Sequence, residues 1–137
     1  MKEAIINQVK NWIAKAENDL KIGTHEMTFQ DPATDAICFH AQQCVEKYLK
    51  AYLVFHQQFF RKTHDIKEIT NLCKVIDQDF DFLFEIKANE MTIYATELRY
   101  ADDFVMPSIE ETQEAIVIAE KVKDFVLEKV KDEGFEM

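Results

Sequence analysis

Glycine and proline are nearly missing from this chain, with two of each in 137 residues. These residues specify tight turns, so their scarcity argues against a turn-rich sandwich or barrel and excludes a Gly-rich phosphate loop. Cysteine is sparse and odd in number: Cys38, Cys44 and Cys73. Cys38 and Cys44 fall six apart on one predicted helix, a poor spacing for a disulfide or a zinc pair, so free thiols in a reducing cytoplasm are expected. No apolar run approaches the roughly 20 residues of a membrane span. The first residues, MKEAIINQVKNWIAK, lack the apolar centre of a signal peptide. A cytoplasmic protein that does not engage membranes is the expectation. Basic residues are outnumbered, 16 against 26, giving a net charge of -10. A surface so acidic does not bind a nucleic-acid backbone as a whole. There is no G-x-S-x-G elbow and no H-E-x-x-H, and His40 with Cys44 is two ligands short of a zinc site. No metal and no cofactor is implied.

Helical periodicity dominates what is present. Ile5, Val9, Trp12, Ile13, Ala16 and Leu20 give one apolar face to a helix from about Lys2 to Ile22, with Gly23 just past its end. Asp31-Pro32 predicts the start of a second helix running to about Phe59, roughly 40 Å long. Its wide apolar face, Ile37, Ala41, Cys44, Val45, Tyr48, Tyr52, Phe55 and Phe59, marks it as the central element. Asp65 and Glu68 form the pattern of a capping box opening a short third helix to Ile76. DQDFDFLFEI alternates like a strand, but an isolated strand cannot pair, so it is read as a turn into a fourth helix over about Phe82–Leu98. Ser108 and Glu111 form a second capping box, before a last helix over about Ile109–Lys131 with Ala115, Ile118, Ala119, Val122, Phe125, Val126 and Val130 inward. Residues 132–137 read as a frayed tail. The fold expected is all-α: one domain over residues 1–137, an antiparallel up-and-down bundle of four long helices plus one short helix.

The second helix carries an unusual stripe. At about 100° per residue, His40, Gln43, Lys47 and Lys50 share one edge, with Glu46 beside them and Arg61, Lys62 and His64 just beyond the helix. From Lys47 to Lys67 there are five Lys or Arg and one acidic residue, Asp65, whereas the rest of the chain holds 11 basic and 25 acidic residues. Such an island either attracts a small anion or is a solvated face with pairs such as Glu46 with Lys50. His64 either satisfies the turn before the third helix or acts on a phosphate or as a base. His25 and His56 belong to no evident constellation.

Taken together, WIAKAENDL, FHAQQCVEKYLKAYL, KTHDI, LRYADDF and PSIEETQEAIVIAEKVKDFV resemble, in order and spacing, the HEPN family of small helical domains, over nearly the whole chain. The resemblance implies an up-and-down bundle, commonly homodimeric, whose gene often accompanies a small nucleotidyltransferase, in some cases as toxin and antitoxin. Nuclease branches carry an Arg followed by a His, completed across a dimer. Here Arg99 is followed by Tyr100, Ala101, Asp102 and Asp103, and no His occurs after His64. The resemblance therefore implies nucleotide or partner binding before catalysis. If an anion binds, Lys47 and Lys50 supply charge, His64 contacts phosphate, and Arg99 and Tyr100 close the site by gripping phosphate and stacking on a base. The alternatives are a metal-independent ribonuclease toxin using His64 and Arg61, and a structural dimer with no ligand; under any of these readings a dimer is expected to meet through the first and last helices.

Overall fold

A computed structural model describes residues 2–96 and 105–136. The described residues are helical and contain no strand, with the elements α1 (Glu3–Glu26), α2 (Thr34–Phe55), α3 (Ile66–Ile76), α4 (Phe82–Glu85), α5 (Ile93–Thr96) and α6 (Ile109–Asp132). Short 3-10 turns, Gln78–Asp81 and Ala88–Thr92, link the middle elements. The fold is the expected all-α bundle, with α2 at its centre against α1, α6 and α3. Residues rise along α1 as they fall along α2, through Trp12 with Lys50, Glu17 with Tyr48 and Asp19 with His40. These two helices are therefore antiparallel. Cys38 meets Thr112 and Phe55 meets Phe135, so α6 runs parallel to α2.

The core is built from the periodic residues. Val9, Ile13 and Ala16 of α1, Ile37, Cys44, Val45, Tyr48 and Tyr52 of α2, and Ala119, Val122, Val126 and Val130 of α6 are buried. The helix ends differ from the sequence expectation in instructive ways. Gly23 does not end α1 but lies buried inside it, with Ile37 and His40 against it. Asp31 does not cap α2; the helix begins two residues after Pro32, and the Ala33 N–H donates to Glu26 Oε2 at 3.0 Å. At its other end α2 stops at Phe55, four residues early. Gln57 adopts a left-handed φ of 55°, and the N–H groups of Gln57 and Gln58 donate to the carbonyls of Val54 and Leu53. This Schellman closure takes Phe59 off the helix face, so Phe59 is exposed rather than inward.

The fourth helix is broken rather than continuous over Phe82–Leu98. Lys87 has a φ of 64° and stays exposed, while Leu83, Ala88, Met91 and Tyr94 are buried. Their spacings of five, three and three fit a left-handed step and then 3-10 geometry, not a 3.6-residue repeat. The remainder of that helix, with Leu98, lies outside the described residues. The tail expected to fray is held instead. Gly134 takes a φ of 99° in a second Schellman closure, and Phe135 turns back onto Phe55 and is buried. No described helix is long and apolar enough to cross a membrane.

Candidate functional site

The stripe on α2 faces α1 and the loop between α2 and α3. α1 supplies one carboxylate that neutralises it, Asp19, and α2 itself supplies the other, Glu46. Asp19 sits on α1 in register with Ala16 and Gly23, so it occupies an inward position of the helical repeat. Its two oxygens take His40 Nδ1 at 2.8 Å and Lys47 Nζ at 2.6 Å. Each of these three side chains keeps an edge in water, with exposures of 10% for Asp19, 26% for His40 and 21% for Lys47.

Glu46 is the second and deeper centre, with a side chain only 3% exposed. Lys50 Nζ donates to its Oε2 at 2.8 Å, and His64 Nδ1 lies 2.9 Å from its Oε1. Gln42 Nε2 reaches the same Oε1 at 3.2 Å and Gln43 Nε2 at 3.4 Å. Lys50 is itself 8% exposed; its ammonium also donates to the Thr63 carbonyl at 3.2 Å and lies 5.6 Å from the Trp12 ring centroid and 5.7 Å from that of Phe60. A desolvated ion pair is tolerable only with such additional partners, since the desolvation cost otherwise exceeds the mutual attraction. Gln42 Nε2 also donates to the His64 carbonyl at 3.2 Å. Two side chains of α2 thus hold successive carbonyls of the loop, and the cluster ties α1, α2 and the loop together.

His64 alone among the cluster looks outward. Its side chain is 52% exposed, Nδ1 is engaged by Glu46, and Nε2 meets no partner among the described residues. Arg61 is 67% exposed and grips Glu68 in two-pronged fashion, Nη2 to Oε1 at 2.6 Å and Nε to Oε2 at 2.8 Å. This pairing replaces half of the expected capping box. Asp65 does cap α3, accepting from the Lys67 N–H, but Thr63 Oγ1 rather than Glu68 takes the Asp65 N–H. Glu111 behaves alike: its N–H donates to Ser108 Oγ, while its carboxylate accepts the Tyr94 hydroxyl at 2.7 Å.

Of the residues expected to bind an anion, Lys47 and Lys50 come within one seam but serve different carboxylates, and His64 joins the Lys50 centre. Arg99 and Tyr100 lie outside the described residues. His25 lines a small cavity with Ile22, Phe29 and His40, and His56 Nε2 lies at ion-pair distance, 3.0 Å, from Glu133. Cys44 is fully buried, and burial, then the nearby carboxylates of Glu17 and Asp19, pushes its thiol far above its ordinary range, as suits a core residue. Sequence reasoning missed Asp19 altogether. A signal was available, because a carboxylate three after Ala16 and four before Gly23 breaks an otherwise apolar face. Trp12 and Phe60, which flank Lys50, gave no such signal, since their meeting depends on the loop path.

With this geometry in hand, comparison with known proteins is informative. Among curated proteins none matches the chain. A crystal structure described as that of an archaeal HEPN homologue superposes with a TM-score of 0.67 at 23% identity, covering 89% of this chain and 97% of that one. At that identity the likeness concerns the fold. A family model described as the HEPN domain matches residues 9–130, from within α1 to within α6, and on that match this chain belongs to the HEPN family.

Proposed function

We propose that this HEPN protein is a non-catalytic binding module that acts through a protein partner, a small nucleotidyltransferase being the partner type the family resemblance suggests, with a homodimer as the working unit. One observation carries the reading. The cations that made α2 look like an anion site are turned to internal carboxylates, Lys47 to Asp19 and Lys50 to Glu46. A phosphate arriving at Lys50 would have to displace a carboxylate that is only 3% exposed, which disfavours a nucleotide site there. Nucleotide binding, if it occurs, is assigned to Arg99 and Tyr100 rather than to the stripe.

The test is a thermal-shift titration with nucleotides and short RNA, alongside co-elution with a small nucleotidyltransferase of the family-associated type. Lys47→Ala is the suitable variant, because Lys50→Ala would unbalance the core. The expected result is a stable complex with the transferase and no nucleotide shift that depends on Lys47. Saturating ligand at about 100 times its dissociation constant adds roughly 2.7 kcal/mol, so a real nucleotide site would be seen as a shift of several degrees. A shift lost in Lys47→Ala, with no transferase complex, would overturn the reading.

A second reading, a metal-independent ribonuclease using His64, is favoured by the Glu46–His64 pair. A buried carboxylate on Nδ1 fixes the tautomer that leaves Nε2 as an outward acceptor, the arrangement of a general base. Arg61 stands three residues upstream, exposed. This reading requires RNA cleavage without added metal that is abolished in His64→Ala and reduced in Glu46→Gln. Absence of cleavage by the wild-type dimer, freed of any partner, would dismiss it.

A further inference from the structure

Beside the Glu46 cluster, the loop from Gln57 to Asp65 and the outer face of α3 enclose a groove of about 650 Å3. Its floor is apolar. Phe59 is 82% exposed and Val75 84%, and Phe60 and Leu72 line the same groove half-buried. Single exposed apolar side chains are ordinary, but here two large ones share one surface with two more.

The rim carries a sign. Asp65 is occupied in capping α3 and Glu68 in holding Arg61. Lys67 lines the groove exposed, and Lys62, next to Arg61 in the loop, stands exposed just outside its lining; neither has a carboxylate partner among the described residues. On a chain of net charge -10, positive charge here borders apolar surface. The groove is also preformed. Lys50 and Gln42 hold the carbonyls of Thr63 and His64 from beneath, and the Schellman closure at Gln57 and Gln58 fixes the loop where it leaves α2. A wall ordered before binding reduces the ordering cost that a partner must offset.

We propose that this groove docks an amphipathic segment of a partner protein, presenting bulky apolar side chains to Phe59, Leu72 and Val75 and carboxylates to Lys62 and Lys67. The proposal rests on the partner-binding reading above and names the surface through which it would act. The mode is that of an amphipathic helix laid into an apolar groove, with affinity from the floor and selectivity from the rim. A nucleotide or RNA would leave the aliphatic side of the groove, Leu72 and Val75, without an apolar partner, and the acidic remainder of the molecule repels phosphate.

The probe is a fluorescein-labelled, alanine-based helical peptide with leucines on one face and glutamates flanking them, titrated into the full chain and followed by anisotropy. Companion peptides replace the glutamates with lysines or the leucines with serines. Binding of the acidic peptide is expected, with each companion weaker by about tenfold or more. Val75→Glu should reduce binding of the acidic peptide by about tenfold or more. So should the double variant Lys62→Glu/Lys67→Glu, which should favour the lysine peptide instead. Val75 is exposed, so the variant keeps its fold, and an unchanged melting curve confirms it. Failure of the acidic peptide to bind, equal binding of the acidic and basic peptides, or indifference to Val75→Glu overturns the proposal. So does competition by RNA in place of peptide, or a change in the monomer–dimer equilibrium of Val75→Glu in sedimentation, which would give the groove to a second copy of the chain. The transferase complex separates this from the broader reading. If that complex forms equally well with wild type and Val75→Glu, the groove assignment falls and the partner reading stands. If no complex forms and a nucleotide shift depends on Lys47, the partner reading falls whatever the peptide does.

Discussion

The seam along α2 and the groove beside α3 lie within a few residues of each other, yet they distribute polarity in opposite ways. At the seam, charge goes inward: Glu46 is 3% exposed and Lys50 8%. At the groove, apolar surface goes outward: Phe59 and Val75 are more than four-fifths exposed. The first arrangement is stabilising only as a set, because each buried charge depends on its partner. The second does nothing for folding, since those side chains are nearly as exposed as in the unfolded chain. A cluster that costs much to disturb therefore supports a surface that costs little to change. That is how a binding surface can vary on a fixed frame.

The strongest way to break the comparison is at Glu46. Glu46→Leu leaves Lys50 buried and uncompensated and removes the acceptor for His64 and two glutamines, so urea denaturation should show a loss of about 3–5 kcal/mol. Glu46→Leu with Lys50→Met removes both charges and should recover most of that loss. Equal losses in the single and double variants would mean that the ion pair is not what makes the site costly. Asp19 sets the next rung. Asp19→Asn weakens its contacts with His40 and Lys47, but these partners reach water, so about 1–2 kcal/mol is expected by the same measurement. A loss as large as that of Glu46→Leu would mean that burial depth does not separate the two centres.

These two centres also show what was legible in the sequence. The bundle, the central place of α2 and the all-helical class follow from a 3.6-residue repeat, which is a property of each helix alone. The stripe of His40, Lys47 and Lys50 was legible for the same reason. The Glu46–Lys50 pair was legible too, since it lies within one helix; the partner of His40 and Lys47 and the approach of His64 were not, because Asp19 comes from 21 residues before His40 and His64 from 18 after Glu46. Cross-helix pairing depends on register between elements, and periodicity carries no register. The end of α2 was misplaced because Gln57 takes the left-handed conformation usually filled by Gly or Asn. The fourth helix was misread because Lys87 does likewise. Phe59, counted toward the core, became an exposed side of the groove through that one displaced helix end.

A partly exposed trio gives a reference between seam and groove. Lys129 bonds Asp77 at 2.7 Å and Asp79 at 2.6 Å, and its ammonium holds the Asp77 carboxyl below the usual carboxylate range against the opposing effect of burial. A carboxyl depressed on folding contributes stability above its unfolded pKa and loses it as pH falls through the folded value. Both residues are partly solvated, so the contribution is expected to be below about 1 kcal/mol. Lys129→Ala should therefore lower stability at neutral pH slightly and converge with wild type at low pH. A gap between the two proteins that persists once the carboxyl is protonated would assign Lys129 to packing on Phe125, whose ring centroid it overlies at 5.6 Å, rather than to charge.

The smallest effect on stability is expected at the groove, and it decides whether the two regions are separable. Phe59→Ser and Val75→Glu each alter a side chain that is mostly in water already, so denaturation midpoints should stay within about 0.5 kcal/mol of wild type. Val75 lies on α3, one residue before the helix ends at Ile76, and Phe59 lies in the loop. Neither takes part in the contacts that hold Thr63 and His64 to α2. If stability is unchanged while docking is lost, frame and surface are independent, and apolar exposure at this place is retained for a partner. If either variant destabilises the protein as much as Asp19→Asn does, Phe59 and Val75 belong to the packing of the loop, and the groove is then part of the frame that the Glu46 cluster holds.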